Sequence, residues 1–319
     1  MAERRAAIVG AGLIGRSWAI AFARAGWEVR LWDPVEGAAA SCLAAAGGLL
    51  ADLAARGLLE GQAPEEVRAR IALADGLGAA LDGVGWVQEN APERLDLKRE
   101  LWGELDRLAP ADAVLASSTS ALLPSRFTEH LAGRHRCLVV HPLNPPYLLP
   151  ATELCPAPWT TPETMDRAAE VMRDIGQSVI RMTRELDGFV MNRLQAALVE
   201  EAFKLVAEGY CGVEDVDVGL KDGLALRWAL MGPFETIDLN APGGVRDYVA
   251  RYRGVFDAFV ATGLPRPDWA GPVLDRVEAA RTERLPRDPE ALAERQRWRD
   301  RRLMALAAHK RAAGRQEGE

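Results

Sequence analysis

Gly10-Ala11-Gly12-Leu13-Ile14-Gly15 decides how the rest of the chain is read. It follows a short apolar run, Ala6-Ala7-Ile8-Val9, of the kind a parallel strand buried on both faces requires. It leads into Leu13 to Ala25, where Leu13, Ala21 and Phe22 recur at helical spacing among small residues. In such a strand–turn–helix unit each glycine has a task. Gly10 permits the tight turn, Gly12 lets backbone approach a pyrophosphate, and Gly15 allows close packing of helix on strand. The first amides of the helix, Leu13 and Ile14 included, and the positive end of its dipole are expected to face the phosphates. A second strand, Glu28 to Trp32, ends in Asp33, eighteen residues after Gly15. An acidic residue at that distance grips an adenosine ribose 2′-hydroxyl. The same carboxylate repels a 2′-phosphate, and Pro34-Val35-Glu36 bring no local cation. The expected cofactor is therefore NAD rather than NADP.

At 319 residues the chain is long enough for two domains, and a net charge of −7 argues against nucleic acid as its partner. The Ala/Leu-rich run Gly37 to Ala55 is interrupted by Ser41, Gly47, Gly48 and Asp52, so no membrane span is expected. Glu3-Arg4-Arg5 lead directly into the first strand, unlike a signal peptide. Cys42, Cys137, Cys155 and Cys211 are widely spaced, with neither CxxC nor metal-ligand spacing. They read as reduced packing residues of a cytoplasmic protein without a metal. A basic run, Arg295, Arg297, Arg299, Arg301 and Arg302, is interleaved with Glu294 and Asp300 and follows the Asp288-Pro289 helix start. It reads as a solvated helix or a subunit contact.

The first half alternates short apolar runs with helical segments, which predicts an α/β fold: a doubly wound, mostly parallel Rossmann-type sheet. Strands are expected at 71–74, 85–88, 113–117, 137–141, 153–155 and 178–182. Helices are expected at 35–56, at 93–108 with Leu97, Leu101, Leu105 and Leu108 on one face, and at 162–175. The character changes at Asp187-Gly188. Val190, Leu194, Ala197, Leu198, Leu205 and Val206 then form one helical stripe ending near Gly209. No strand pattern returns. Residues 1–184 are thus read as the dinucleotide-binding domain and 185–319 as an all-α second domain.

Of four histidines only His141 ends an apolar strand, where open α/β sheets present ligands. Glu153, on the next candidate strand, can return to place its carboxylate beside the imidazole, the pairing a general base needs. A satisfied structural histidine fits the same position. Ser120 closes Ser117-Ser118-Thr119-Ser120 after another strand and reads either as a substrate-binding hydroxyl or as a helix cap. Asn192 lies near the start of the long helix, off its apolar stripe, either idle or donating to a substrate oxygen.

These residues, with Gln88-Glu89-Asn90, His141-Pro142-Leu143-Asn144-Pro145-Pro146 and Asp187-Gly188-Phe189-Val190-Met191-Asn192-Arg193, resemble the 3-hydroxyacyl-CoA dehydrogenase superfamily over nearly the whole chain. Within it, the lambda-crystallin / L-gulonate 3-dehydrogenase branch is the most similar. The resemblance implies that His141 removes the proton of a substrate 3-hydroxyl and that Glu153 orients it. It also implies that Ser120 and Asn192 bind the reacting oxygen while a hydride passes from C3 to NAD. Glu89 and Asn144 match positions near the cofactor or the histidine, and relatives dimerise through the helical domain.

Charge separates the substrate classes of that family. A CoA thioester carries phosphates that call for lysines and arginines. The segment 36–57 has Arg56 as its sole basic residue, beside Glu36 and Asp52, and so favours a small free 3-hydroxy acid such as L-gulonate. Arg227 sits among apolar residues in Leu226-Arg227-Trp228-Ala229-Leu230, which implies an anionic partner. That partner is Glu235 or Asp238 in one reading and a substrate carboxylate in the other. The alternatives are an L-3-hydroxyacyl-CoA dehydrogenase and a carnitine 3-dehydrogenase, the latter with Trp228 and Trp159 as candidates for an ammonium cage. An NAD-binding structural protein of the crystallin kind is the non-enzyme alternative.

Overall fold

The computed structural model describes residues 4–261, 263–265, 268, 270–284 and 288–317. Eight strands, β1 (Arg5–Val9), β2 (Glu28–Trp32), β3 (Ile71–Leu73), β4 (Trp86–Glu89), β5 (Val114–Ser117), β6 (Cys137–Pro142), β7 (Ala151–Pro156) and β8 (Ser178–Arg181), form one sheet in the order β3-β2-β1-β4-β5-β6-β7-β8. Every pairing is parallel except β6 with β7. The strand order reverses between β1 and β4, which opens a crevice beyond their carboxyl ends. The Rossmann-type sheet read from the sequence is the one present.

Alternation along each strand feeds two cores. Ala6, Ile8, Trp86, Leu138 and Val140 face one side with Trp18 and Phe22 of helix α1 (Leu13–Arg24) and Leu50 of α2 (Ala38–Ala54). Ala7, Val9, Val87, Leu115 and Val139 face the other with Trp102, Phe127 and Phe189. The Leu95–Leu108 helix departs from its expected face. Lys98, Trp102 and Leu105 are its buried residues, while Leu97, Leu101 and Leu108 are half-buried. An ion pair beneath the helix draws Lys98 inward.

The chain divides into two compact units, 1–192 together with 296–319, and 193–295. This differs from the single boundary expected at 184/185, because the end of the chain returns to the first unit. Met304 of the Pro289–Glu317 helix is buried in that unit's core, flanked by Leu303, Ala307 and Ala308. Arg311 of the same helix donates to the Leu58 carbonyl at 3.3 Å. The basic run is thus the start of a packed helix, with Ala291 N capped by Asp288 Oδ1 at 2.9 Å. The regular elements among the second unit's described residues are all helices, and Leu230, Phe234, Leu239 and Phe259 are exposed. Leu194 and Leu198, expected on a covered stripe, are exposed as well.

No helix among the described residues is long and apolar enough to cross a membrane. All four cysteines are free. Burial pushes the Cys42 thiol up to about 11 and that of Cys155 up to about 12, and raises Cys137 too. A thiol reacts as its thiolate, so these three should be inert at neutral pH. Titration of the native protein with a disulfide reagent is expected to find one fast thiol, half-buried Cys211, against four after denaturation. Rapid modification of several native thiols would contradict this packing.

Candidate active site

The glycine loop sits at the β1 end of the crevice. Gly10 has φ +95°, a left-handed conformation open to glycine, and a Cβ there would lie 2.9 Å from the Asn90 carbonyl. A Cβ on Gly15 would come within 1.9 Å of the Gly10 carbonyl. Gly12 is exposed, caps α1 without a side-chain hydrogen bond, and faces open space. Asp33 fixes the loop from the end of β2: its Oδ2 accepts from Ala11 N at 2.7 Å and its Oδ1 from Val35 N at 2.9 Å. Arg16 on α1 escaped the sequence reading, which looked for cations only beside Asp33. Its Nε is buried with no partner among the described residues.

Below the crevice a second network joins the strand ends. Ser118 Oγ accepts from Trp18 Nε1 at 2.9 Å and Gln88 Nε2 at 2.8 Å and donates to Asn90 Oδ1 at 2.8 Å. Glu89 points to the opposite face. Its carboxylate is wholly buried and accepts from Lys98 Nζ at 2.8 Å to both oxygens, Ser117 Oγ at 2.7 Å, Trp102 Nε1 at 3.0 Å and Ala91 N at 2.6 Å. A carboxylate so occupied is internal scaffolding, which corrects the expectation that Glu89 lies against a cofactor. Only the alternation of β4, with Gln88 toward one face and Glu89 toward the other, hinted at this in the sequence.

The antiparallel register of β6 and β7 sets His141 directly opposite Glu153. His141 Nδ1 lies 2.6 Å from Glu153 Oε2, with the imidazole 6% exposed and the carboxylate fully buried. The other oxygen, Oε1, accepts from Val190 N at 2.6 Å and Met191 N at 2.7 Å, the opening amides of the Phe189–Ala207 helix. With Nδ1–H donated to Glu153, Nε2 carries the free lone pair, as a proton acceptor requires. The backbone bends sharply to aim those amides: Gly188 has φ +77° and Phe189 φ +49°. A left-handed, bulky and buried phenylalanine is a strained choice of the kind found at functional sites. Its ring centroid stands 5.3 Å from that of His141.

The same segment reaches the other pair. Asn192 Nδ2 donates to the Ser120 carbonyl at 2.8 Å. The capping alternative for Ser120 falls away, since Thr119 Oγ1 accepts from Leu122 N at 2.9 Å in that turn. Residues 189–192 therefore bind Glu153 on one side and Ser120 on the other. Asn144, in the loop after β6, holds a buried Oδ1 with no partner among the described residues. Arg227 lies in the second unit and is exposed, and its guanidinium has no ion pair or hydrogen bond among the described residues. Of the two partners weighed for Arg227, the pairing with Glu235 or Asp238 is not the one present.

Residues 5–186 match the NAD binding domain of 3-hydroxyacyl-CoA dehydrogenase, and residues 188–266 match its C-terminal domain. The chain belongs to the 3-hydroxyacyl-CoA dehydrogenase family. This dehydrogenase is 42% identical over 305 residues to lambda-crystallin of Oryctolagus cuniculus, covering 95% of each chain. It is 38% identical over 315 residues to an L-carnitine dehydrogenase of Streptomyces griseus, covering 98% of this chain and 90% of the other. Among solved structures it resembles 5-formyl-3-hydroxy-2-methylpyridine 4-carboxylic acid 5-dehydrogenase, an NAD+ dependent dismutase. There the TM-score is 0.77 and the identity 27%, over 95% and 97% of the two chains.

It is an NAD-dependent oxidoreductase, and the crevice fits that cofactor. Gly12 leaves room where a side chain would intrude, and Asp33 stands where a ribose hydroxyl is met. The unpaired Arg16 Nε and Asn144 Oδ1 are buried polar atoms of the sort a polar ligand satisfies. Gly10, Gly12, Leu13, Ile14, Gly15 and Asp33 would hold the dinucleotide.

Proposed function

We propose that this dehydrogenase oxidises the 3-hydroxyl of a small free 3-hydroxy acid, with L-gulonate as the first candidate. The observation that carries the reading is the chain from the Val190 and Met191 amides through Glu153 to His141. Two amides at a helix start favour negative charge on Glu153, and Glu153 in turn supports the imidazolium that forms as Nε2 takes the substrate proton. Ser120 and Asn192 bind the reacting oxygen. NAD held by the glycine loop and Asp33 would supply the acceptor for the C3 hydride.

Charge supports a free acid. α2 contains no Lys or Arg along its length, a poor surface for the phosphates of a CoA thioester. A structural relative is itself named for a carboxylic acid. The unpaired guanidinium of Arg227 suits a carboxylate held bidentately. Arg227→Ala is expected to raise KM for the free acid by about 10-fold or more while NADH binding stays unchanged, as the loss of a charged hydrogen-bonded pair implies. An unaltered KM would remove Arg227 from the site.

L-Carnitine is the second reading, favoured by the Streptomyces relative. It is weakened at Trp159, whose ring lies under Arg134 at 4.9 Å and whose Nε1 donates to Thr128 Oγ1 at 3.0 Å. That indole is already stacked by a cation. The decisive assay follows NADH absorbance with L-gulonate, L-3-hydroxybutyrate, L-carnitine and 3-hydroxybutyryl-CoA side by side. Preference for the thioester would overturn the charge argument, and no turnover with any hydroxy acid would favour a crystallin-like structural role. We further propose a cytoplasmic homodimer joined through the helical unit. Its exposed Leu230, Phe234, Leu239 and Phe259 form the kind of apolar surface that marks subunit contacts.

A further inference from the structure

The sheet holds a second parallel unit that runs against the first. β7, the Pro162–Asp174 helix and β8 form a parallel crossover, and β7 is antiparallel to β6. The carboxyl ends of β7 and β8 therefore lie at the end of the sheet opposite the glycine loop. There the two outgoing connections part. The chain after β7 enters the core of Trp18 and Phe22 through Met165 and Ala168, whereas the chain after β8 enters the opposite core through Met182 and Phe189. Strands whose connections leave to opposite faces open a crevice beyond their carboxyl ends, the place where open α/β sheets seat ligands. A cavity of 640 Å³ occupies this place. Ligand sites span roughly 300–1,000 Å³.

The cavity walls are largely apolar, with Pro156, Pro158 and Pro162 beside Met165 and Met182. Most of its polar groups are committed elsewhere. Thr160 Oγ1 accepts from Ala157 N at 2.8 Å and donates to the Cys137 carbonyl at 2.6 Å. Glu185 Oε1 accepts from Ser125 N at 2.6 Å, and Arg181 pairs with Asp166. That leaves Thr183 and Arg184, neither with a hydrogen bond or ion pair among the described residues.

We propose that this cavity is a second ligand site, for a monocarboxylate with an apolar tail. The Arg184 guanidinium takes the carboxylate bidentately and the Thr183 hydroxyl donates beside it, while the tail lies between the prolines and the two methionines. One guanidinium without a counter-charge suits one negative charge, and prolines and methionines offer no partner to a chain of hydroxyls. The ligand therefore differs in kind from the hydroxy acid oxidised beside His141. Because the site lies at the other end of the sheet, it fills independently of the dinucleotide.

Octanoate is the probe, titrated calorimetrically into the protein with and without saturating NADH. One site is expected, with affinities that agree within about twofold, since uncoupled sites do not alter each other's binding. Acetate, which lacks the tail, should bind at least about 10-fold more weakly. Arg184→Ala should weaken octanoate by about 10-fold or more, the loss of a charge-assisted pair, and leave octan-1-ol unaffected. Thr183→Trp, which fills the mouth, should abolish binding of both. Both substituted residues are exposed, so the melting temperature should hold. In protein labelled at its methionine methyls, octanoate should shift Met165 and Met182 out of the seven methionines. No binding at millimolar octanoate, displacement by NADH, unaltered octanoate affinity in Arg184→Ala, or shifts that miss both methionines would each overturn the proposal.

Discussion

His141→Ala is expected to lower kcat by about 10²- to 10⁴-fold, the usual contribution of a positioned general base, with NADH binding nearly unchanged. The separation follows from the fold. The glycine loop and Asp33 belong to β1 and β2, whereas His141 ends β6, three strands beyond β1 in the sheet. Alanine also leaves Glu153 Oε2 buried without its donor, a penalty of about 1–3 kcal/mol that could mimic a catalytic defect. His141→Gln removes that ambiguity. A glutamine amide can still donate to Glu153 but cannot accept a proton at neutral pH. Single-turnover kinetics with both variants decide the matter. Near-normal chemistry in the folded His141→Gln enzyme would end the assignment.

Lys98→Met is expected to destabilise the fold by about 3–5 kcal/mol, because it strips the counter-charge from a carboxylate wholly buried beneath β4. Ser117, Trp102 and the Ala91 amide would still donate to Glu89, but none carries charge. Replacing both partners is a different experiment. The double variant Lys98→Met/Glu89→Gln should recover much of the loss, since an intact buried ion pair contributes little net stability over a neutral one. Urea unfolding of the two variants checks both statements. A loss below about 1 kcal/mol for Lys98→Met would mean that water or a rearranged side chain satisfies Glu89. The pair also anchors the ends of β4 and β5, from which Glu93 and Ser120 extend, so NADH affinity is worth following in parallel.

Much of this was legible in the sequence, and for a common reason. Short apolar runs with turn residues between them report strands through local alternation, and all eight strands fall where that pattern puts them. The His141–Glu153 pair was legible because β6 and β7 are consecutive and antiparallel, so a short connection fixes their register. The glycine loop with Asp33 carried the cofactor, since both belong to a single local unit.

Other features depended on partners distant in the chain. Leu97, Leu101, Leu105 and Leu108 promised an apolar helix face, yet Lys98 is buried because Glu89 waits beneath it. Arg227 looked buried among apolar neighbours in sequence but is exposed in a helical unit that leaves many apolar side chains uncovered. The return of the last helix to the first unit rests on buried Met304 with partly buried Leu303, Ala307 and Ala308 among many charges, too weak a periodic signal to read. The sequence by itself determined the sheet, the cofactor and the juxtaposition of His141 with Glu153, because period-two alternation and short connections are local. Tertiary structure alone decided what two nearby glutamates bind. Glu89 turns inward to a lysine and Glu93 outward to Ser120, since a carboxylate's role is set by the donors that folding brings to it.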